Sequence, residues 1–261
     1  MEIALPVNRL KRALQQGQTQ IGLWHALSSH IAVEIIAGSG FDWVLLDTEH
    51  SPSDVTMVLT HLQAMSEGTA SAVVRPSWND AVMIKRLLDI GVQSFLIPFV
   101  QNADEARAAV AATRYPPQGI RGIASTMRAN RYGRIKNYVA RANDEICVIV
   151  QIETRASLDD IEAIAAVEGV DGMFIGPSDL AGGLGHAGDN AHPEVRGAIE
   201  SAVDRICKAG KAAGILAPVE ADARHWLDRG CRMVAVGNDA ALLARQSEAL
   251  AAKYKARAAT S

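Results

Sequence analysis

Short apolar runs alternate along the chain with longer stretches in which apolar residues recur every three or four positions. The short runs are rich in β-branched residues and almost continuously apolar, which is typical of parallel strands covered on both faces. They predict eight strands, at residues 19–23, 43–47, 72–75, 94–97, 146–152, 172–175, 213–216 and 232–236.

Amphipathic helices are predicted after these strands by the three-to-four spacing of their apolar residues. They cover residues 31–37, 54–65, 81–88, 103–112, 158–166, 194–209, 221–229 and 240–254. Eight strands, each followed by a helix, predict an α/β fold of the (β/α)8 TIM-barrel type, in a single domain over residues 1–261. A doubly wound open sheet is the alternative, but such sheets usually have fewer strands.

Polar side chains concentrate where the predicted strands end. Barrel enzymes build their active sites from the loops at the C-terminal ends of the strands. Any soluble barrel has polar loops, so the prediction depends on several charged residue types coinciding after different strands. The active site is therefore predicted at the C-terminal rim, from residues that follow strands two, three, five and six: Asp47, Glu49, His50, Arg75, Gln151, Glu153, Ser178 and Asp179.

Two of these carboxylates, Glu153 and Asp179, follow successive strands and are expected to face each other across the mouth. Neighbouring carboxylates raise each other's pKa unless a cation lies between them. Oxygen ligands of this kind suit a hard divalent metal such as Mg²⁺ or Mn²⁺. The pair therefore predicts a metal site with positions left for a bidentate 2-oxo acid. Helix N-capping is the alternative for Asp179 alone.

His50 is the candidate general base, because histidine is the side chain that ordinarily titrates near neutral pH. Asp47 precedes it by three residues and could hydrogen-bond its ring if the turn folds back. Arg75 supplies a fixed cation suited to stabilising an enolate oxygen. The structural alternatives are an ordinary buried histidine and a surface salt bridge.

Composition excludes several other classes of protein. Hydrophobic residues make up 49% of the chain and the net charge is −3, so neither a disordered chain nor a nucleic-acid surface is indicated. No apolar run is long enough to span a membrane, and the first residues do not resemble a signal peptide. The three cysteines have no metal-binding spacing and fit a reducing compartment. We therefore expect a cytoplasmic protein.

One motif is rejected at this stage. Residues 183–188 match the dinucleotide pattern G-x-G-x-x-G, but they do not lie in a tight turn between a strand and a helix. A flexible loop over the site is predicted there instead.

Four segments together resemble the HpcH/HpaI class II pyruvate aldolases. They are residues 40–50, 114–122, 150–154 and 168–180, and the resemblance extends over essentially the whole chain. It implies that the enzyme cleaves or forms 4-hydroxy-2-oxo acids, giving pyruvate and an aldehyde through a metal-stabilised enolate. The metal would be Mg²⁺, Mn²⁺ or Co²⁺. The resemblance also implies a homohexamer.

The resemblance assigns a role to individual residues. Glu153 and Asp179 would hold the metal, Arg75 would stabilise the enolate, and His50 would act as acid or base, through water. Gln151 and the backbone at Ser178 and Asp179 would position the 2-oxo acid, with Trp24 and Leu216 beside it. Asp89 would raise the basicity of His50. Because Asp89 precedes strand four, it would have to reach His50 across a subunit contact, and Asp47 remains the local alternative.

The substrate stays open at this stage. Residues 214–224 and 128–130 resemble enzymes acting on 2-dehydro-3-deoxyglucarate, whereas residues 75–80, 101–107 and 152–155 resemble those acting on 4-hydroxy-2-oxoheptanedioate. This mixture of motifs predicts a broad aldehyde range. If the mouth beside Trp24 and Leu216 leaves room for a hydroxyl group, hydroxypyruvate should also serve as donor, because a mainly apolar pocket discriminates weakly against an added hydroxyl group. No lysine lies at a strand end, which disfavours a Schiff-base mechanism. A CoA-ester lyase on a related barrel and a non-catalytic 2-oxo acid binding protein are the alternatives.

Overall fold

The computed structural model describes residues 3–258 of the chain. The strands are β1 (Gln20–His25), β2 (Trp43–Asp47), β3 (Ser71–Arg75), β4 (Ser94–Ile97), β5 (Cys147–Ile152), β6 (Gly172–Ile175), β7 (Ala212–Leu216) and β8 (Met233–Asn238). The helices are α1 (Arg9–Gln15), α2 (His30–Ala37), α3 (Val55–Ala64), α4 (Ala81–Asp89), α5 (Ala103–Thr113), α6 (Tyr138–Ala142), α7 (Arg155–Asp159), α8 (Ile161–Ala165), α9 (Pro177–Gly183), α10 (Pro193–Lys208), α11 (Glu220–Asp228) and α12 (Asp239–Ala258).

The eight strands form a closed parallel barrel in chain order, with β1 paired to β8. The predicted (β/α)8 fold is confirmed. Among the described helices, none is long and apolar enough to cross a membrane. Several elements differ from the sequence prediction. Helices α1, α6 and α9 were not predicted, β1 extends to His25, β8 extends to Asn238, and the helix predicted at 158–166 begins earlier, at Arg155, and divides at Asp160. Asp160 interrupts that helix, and its carboxylate accepts a hydrogen bond from Ala103 N at 2.8 Å.

Alternate residues of each strand point into the barrel and fill it with apolar side chains. Trp43 and Phe174 meet edge to face in this interior, with ring centroids 6.3 Å apart. Glycines on the neighbouring strands leave room for the two rings. A Cβ at Gly22 would lie 2.2 Å from the Trp43 ring, and one at Gly214 would lie 2.4 Å from the Phe174 ring. Each large ring therefore lies beside a glycine on the adjacent strand, and this pairing lets the interior pack densely without overlap.

Helix α1 closes the N-terminal end of the barrel. Its Leu10 and Leu14 belong to the same apolar cluster as the barrel interior. The Asn8 side chain caps the helix by accepting from Lys11 N, and it donates to Ser94 Oγ at the start of β4 at 2.9 Å. Lys11 Nζ donates to the carbonyl of Ile146, directly before β5. The lower end is thus filled, and the free mouth is at the C-terminal end.

The segment between α5 and β5, residues 114–146, builds a small core of its own. Arg121 is completely buried there, with its guanidinium 4.3 Å from the ring centroid of Tyr115 and 6.0 Å from that of Tyr138. Its Nη2 lies 3.0 Å from Asp89 Oδ1 at the end of α4. A buried guanidinium needs such a partner, so this ion pair anchors the segment to the barrel.

Gly214→Ala is expected to destabilise the fold by about 1–3 kcal/mol, because the added methyl group would overlap the Phe174 ring and lie 2.9 Å from the Met233 carbonyl oxygen. Denaturant or thermal unfolding measures this loss. Gly197→Ala, within α10, is the matched control. A Cβ there meets nothing within 4 Å, and alanine favours a helix. Equal unfolding midpoints for the two variants would contradict the packing argument.

Candidate active site

The inward-facing positions of the strands become polar at the C-terminal end of the barrel. Leu45, Val73 and Ile149 belong to the interior apolar cluster. Two residues further along the same strands, where side chains return to the same face, are Asp47, Arg75 and Gln151, and Glu153 follows Gln151 at the same spacing. The strand period alone therefore directs these four polar side chains into the mouth. Strand positions with the opposite phase, such as Leu46 and Val74, pack against the helices.

Asp47 and Arg75 form a buried, two-pronged ion pair. Arg75 Nε donates to Asp47 Oδ1 at 2.9 Å and Arg75 Nη2 to Oδ2 at 2.6 Å. Trp24 Nε1 also donates to Oδ2 at 3.1 Å, and the guanidinium lies 4.9 Å from the centroid of the Trp24 ring. Burial raises the pKa of Asp47, but Arg75 and the other donors outweigh burial and hold that pKa below its ordinary value. Arg75 is thus fixed in one orientation.

Glu49 is a second carboxylate beside Arg75. Its Oε2 lies 2.8 Å from Arg75 Nη1, an ion pair without hydrogen-bond geometry. Burial raises the pKa of Glu49, Arg75 and His50 lower it, and Asp47 and Asp179 raise it further, so that it stays above its ordinary value. The sequence places Glu49 at the active-site rim without an individual role. Its inward direction could be predicted, because Glu49 follows Asp47 by two residues and so shares the inward phase of Asp47.

Glu153 is held at the mouth by a backbone donor and a glycine. Its Oε1 accepts from Phe99 N at 2.7 Å, and its Oε2 accepts from Gln151 Nε2. A Cβ at Gly176 would lie 2.5 Å from Glu153 Oε2 and 2.9 Å from Gln151 Nε2. Only glycine therefore leaves space for the carboxylate at this point. Phe99 was not among the predicted site residues. It contributes a backbone N–H group, which every residue except proline has, so its residue type does not indicate this role.

The carboxylates of the mouth fit a divalent cation. Burial raises the pKa of Glu153 to about 7; Asp179 and Glu49 add to this, while Phe99 N and Arg75 oppose it. Asp179 lies in the first turn of α9. Gln151 Oε1 is buried and has no hydrogen-bond partner among residues 3–258. Carboxylate oxygens and a free amide carbonyl oxygen are the ligands that Mg²⁺ and Mn²⁺ prefer. The lack of a side chain at Gly176 leaves room for the Glu153 carboxylate among them.

One cavity of about 250 Å³ collects most of the predicted site residues. Gln151 and Glu153 are both almost fully buried, and Glu153 lies next to the cavity through its contacts with Gln151 and Gly176. Apolar side chains of Phe174, Ile175 and Pro177 complete the wall. The predicted residues that line the cavity are Trp24, Asp47, His50, Arg75, Gln151, Ser178, Asp179 and Leu216.

Comparison with known proteins agrees with this geometry. The model of the HpcH/HpaI aldolase/citrate lyase family matches residues 20–246. The chain is 58% identical over 250 residues to a pyruvate aldolase of Rhizobium etli, covering 96% of this chain and 98% of that one. It is 56% identical over 252 residues to a 4-hydroxy-2-oxo-heptane-1,7-dioate aldolase of Shigella sonnei, covering 96% of each. The chain belongs to the HpcH/HpaI aldolase/citrate lyase family.

A solved HpcH/HpaI aldolase/citrate lyase family protein from Burkholderia cenocepacia has the same fold, with a TM-score of 0.93 at 36% identity. The match covers 95% of this chain and 100% of that chain. The family and the aldolase class predicted from the sequence are therefore confirmed.

His50 lies at the outer edge of the site, and its predicted local partner is wrong. Its side chain is 65% exposed, and its Nε2 lies 3.8 Å from Glu49 Oε2. Asp47 instead uses both oxygens on Arg75, with Trp24 and the backbone N–H groups of Glu49 and His50 as further donors. Asp47 therefore orients Arg75 and does not contact the His50 ring.

Asp89, to which the HpcH/HpaI resemblance gives a role at His50, lies elsewhere in its own chain. It is the last residue of α4, which leads to the amino end of β4, and its carboxylate pairs with Arg121. His50 follows the carboxyl end of β2. The two residues are therefore at opposite ends of one barrel, as the sequence analysis expected.

The affinity for Mn²⁺ is expected to fall as the pH drops through about 7, because a proton and the cation compete for Glu153. Below this pKa the carboxyl group is protonated and above it is free. Calorimetric titration should show roughly tenfold weaker binding at about pH 6 than at about pH 8. Glu162→Gln, an exposed carboxylate in α8, is the matched control and should leave this profile unchanged. A constant affinity across the range would contradict the prediction.

Proposed function

We propose that this aldolase holds a divalent cation at Glu153 and Asp179 and uses Arg75 to stabilise the enolate of pyruvate. The observation that carries the proposal is one fixed guanidinium beside a single small cavity, together with the buried carboxylates of Asp47 and Glu153, the half-buried Glu49 and the exposed Asp179. The substrates would be 4-hydroxy-2-oxo acids, cleaved to pyruvate and an aldehyde. The names of the two aldolase relatives support this substrate class.

The bound cation would supply Lewis acidity at the carboxylate and keto oxygens of the 2-oxo acid. Gln151 lies beside Glu153, and Ser178 offers a hydroxyl group at the first turn of α9. We infer that these residues orient the carboxylate of the substrate. The remaining wall near Trp24, Phe174 and Leu216 is apolar and suits the carbon chain of the 2-oxo acid.

Arg75 is suited to the charge that develops during cleavage. As the C3–C4 bond breaks, its electron pair moves towards C2 and the keto oxygen becomes an enolate oxygen. Arg75 is 6% exposed and is held by Asp47 before the reaction begins, so no reorganisation is needed when this charge appears. A donor fixed in this way stabilises the transition state more than the ground state.

His50 is positioned to move the proton. Its exposed ring lines the outer part of the same cavity, where the C4 hydroxyl of a substrate bound through its 2-oxo acid end would lie. In cleavage His50, through water, would take the hydroxyl proton as the aldehyde leaves, and C3 of the enolate would then be protonated. Glu49 lies between His50 and Arg75, so we infer that it positions the histidine.

A Schiff-base route is not favoured. Among the described residues that line the cavity there is no lysine. A covalent aldolase needs a lysine amine at the carbonyl carbon of its donor.

We also propose that the site is completed by a second copy of the chain. Asp89 could reach His50 only from a neighbouring subunit, and the exposed apolar residues Leu27, Ile31 and Ile35, after β1 and on α2, offer a surface for contact between subunits. A homohexamer is the assembly that we expect in a cytoplasmic enzyme. Mixing inactive His50→Ala and Asp89→Ala chains would restore activity if the two residues meet across a contact.

Removal of divalent metal is expected to abolish cleavage of 4-hydroxy-2-oxo acids, with Mg²⁺, Mn²⁺ or Co²⁺ restoring it. The assay couples released pyruvate to its reduction over a panel of sugar-acid and dicarboxylate substrates. Glu153→Gln and Asp179→Asn should each behave like the metal-free enzyme, and Glu162→Gln should not. Full activity without metal, or trapping of pyruvate on the protein by borohydride, would exclude this mechanism.

Arg75→Lys should lower turnover by roughly 100- to 1,000-fold while changing the affinity for pyruvate, the ground-state ligand, far less than turnover. Lysine keeps the charge but loses the two donors that Asp47 fixes. Arg224→Lys, at an exposed pair on α11, is the matched control. Deuterium exchange at C3 of pyruvate isolates enolate formation. The same exchange with hydroxypyruvate reports whether the pocket accepts that donor. An unchanged rate of C3 deuterium exchange in Arg75→Lys would show that Arg75 does not stabilise the enolate.

A further inference from the structure

A second cluster of metal-ligating side chains lies outside the cavity, between α9 and α10. His186, His192 and Glu194 each offer one ligand atom, and these atoms all lie within 4.8 Å of one another. His186 Nε2 is 2.8 Å from Glu194 Oε2. The two imidazole rings are stacked, with centroids 3.5 Å apart and an angle of 15° between their planes. Neither the family comparison nor the proposed mechanism uses these residues.

The loop that carries the cluster is built from successive turns. His186 N donates to the Ala181 carbonyl at 2.8 Å, Asp189 N to the His186 carbonyl at 2.9 Å, and His192 N to the Asp189 carbonyl at 3.2 Å. Gly185 and Gly188 have positive φ, which lets the chain turn back on itself. This folding brings two histidines that are six residues apart into one stack, with Glu194 in the first turn of α10.

We propose that His186, His192 and Glu194 form a second metal site, selective for a transition metal such as Zn²⁺. Two imidazoles and one carboxylate are a common ligand set for zinc and leave further positions for water. Imidazole nitrogen favours Zn²⁺, Cu²⁺ or Ni²⁺ over Mg²⁺, which prefers oxygen ligands. The two sites therefore differ in the metal they select.

Three local interactions set the conditions for binding. His192 Nδ1 accepts from Glu194 N at 3.3 Å as the cap of α10, so a metal at Nδ1 replaces this long hydrogen bond. The dipole of α10 opposes a cation at its N-terminus, whereas the charge of Glu194 favours one. Arg155 Nη2 lies 3.8 Å from Glu194 Oε1, the carboxylate oxygen that is not bonded to His186. Glu194 Oε2 is thus the oxygen that faces the site.

The loop also contacts the active site. Asn190, between the two histidines, donates from Nδ2 to Ser178 Oγ at 3.2 Å. Ser178 lines the cavity beside Asp179. A metal that ties the two histidines together would therefore hold this wall of the mouth in place.

Zn²⁺ titration of the full-length Glu153→Gln/Asp179→Asn chain tests the proposal, because this background removes the carboxylate site. We expect one Zn²⁺ per chain, not displaced by excess Mg²⁺. Adding His186→Gln or His192→Gln should weaken binding by at least roughly 100-fold, since losing a second-shell partner alone costs up to that much. Adding His30→Gln, an exposed histidine on α2, should change nothing. Undiminished Zn²⁺ affinity in the His186 and His192 variants would overturn the assignment.

Amide hydrogen exchange gives a second measurement that does not depend on activity. Zn²⁺ should slow exchange at residues 186–192 in the titrated background and leave it unchanged when His186→Gln is added. Equal amide exchange rates at residues 186–192 with and without Zn²⁺ in the Glu153→Gln/Asp179→Asn chain would show that the ion binds elsewhere and would overturn the proposal.

Discussion

The mouth of the barrel contains more negative than positive charge, and the arrangement of the site follows from this imbalance. Asp47, Glu49, Glu153 and Asp179 meet around a single guanidinium, that of Arg75. Arg75 pairs with both oxygens of Asp47 and with one oxygen of Glu49, and among residues 3–258 no cationic side chain forms a salt bridge with Glu153 or Asp179. Burial is the main cause of the raised pKa of Glu153, and the nearby carboxylates of Asp179 and Glu49 raise it further. A divalent ion bound there would supply positive charge to these carboxylates.

The alternation of side chains along the strands explains why so much of the site could be predicted. Inward positions are apolar in the middle of the barrel and carry charged and amide side chains at its carboxyl end, so Asp47, Arg75 and Gln151 are recognisable from spacing and residue type. The same alternation gives Glu49 the inward phase of Asp47, although its residue type alone does not reveal its contacts with Arg75 and His50.

Other features depend on contacts that no local pattern reveals. The partner of Asp47 is 28 residues away, so the choice between Arg75 and His50 required the folded arrangement. Asp160 interrupts a predicted helix, and its carboxylate accepts from Ala103 N on another helix, a contact that local sequence does not reveal. Helix α1 is short and was not predicted, since most of its stability comes from Leu10 and Leu14 packing into the barrel. Family resemblance supplied the role of Asp89 but not its partner Arg121.

The packing of α1 has a consequence for the order of events in the site. With the lower end of the barrel filled by Leu10, Leu14 and the aromatic rings above them, ligands have one route in and out. In the proposed mechanism, the 2-oxo acid end of a substrate would occupy the deeper position, near Gln151, and the aldehyde portion would lie towards solvent beside His50. With this single opening we therefore expect sequential exchange of ligands: the aldehyde would leave before pyruvate in cleavage and enter after it in synthesis.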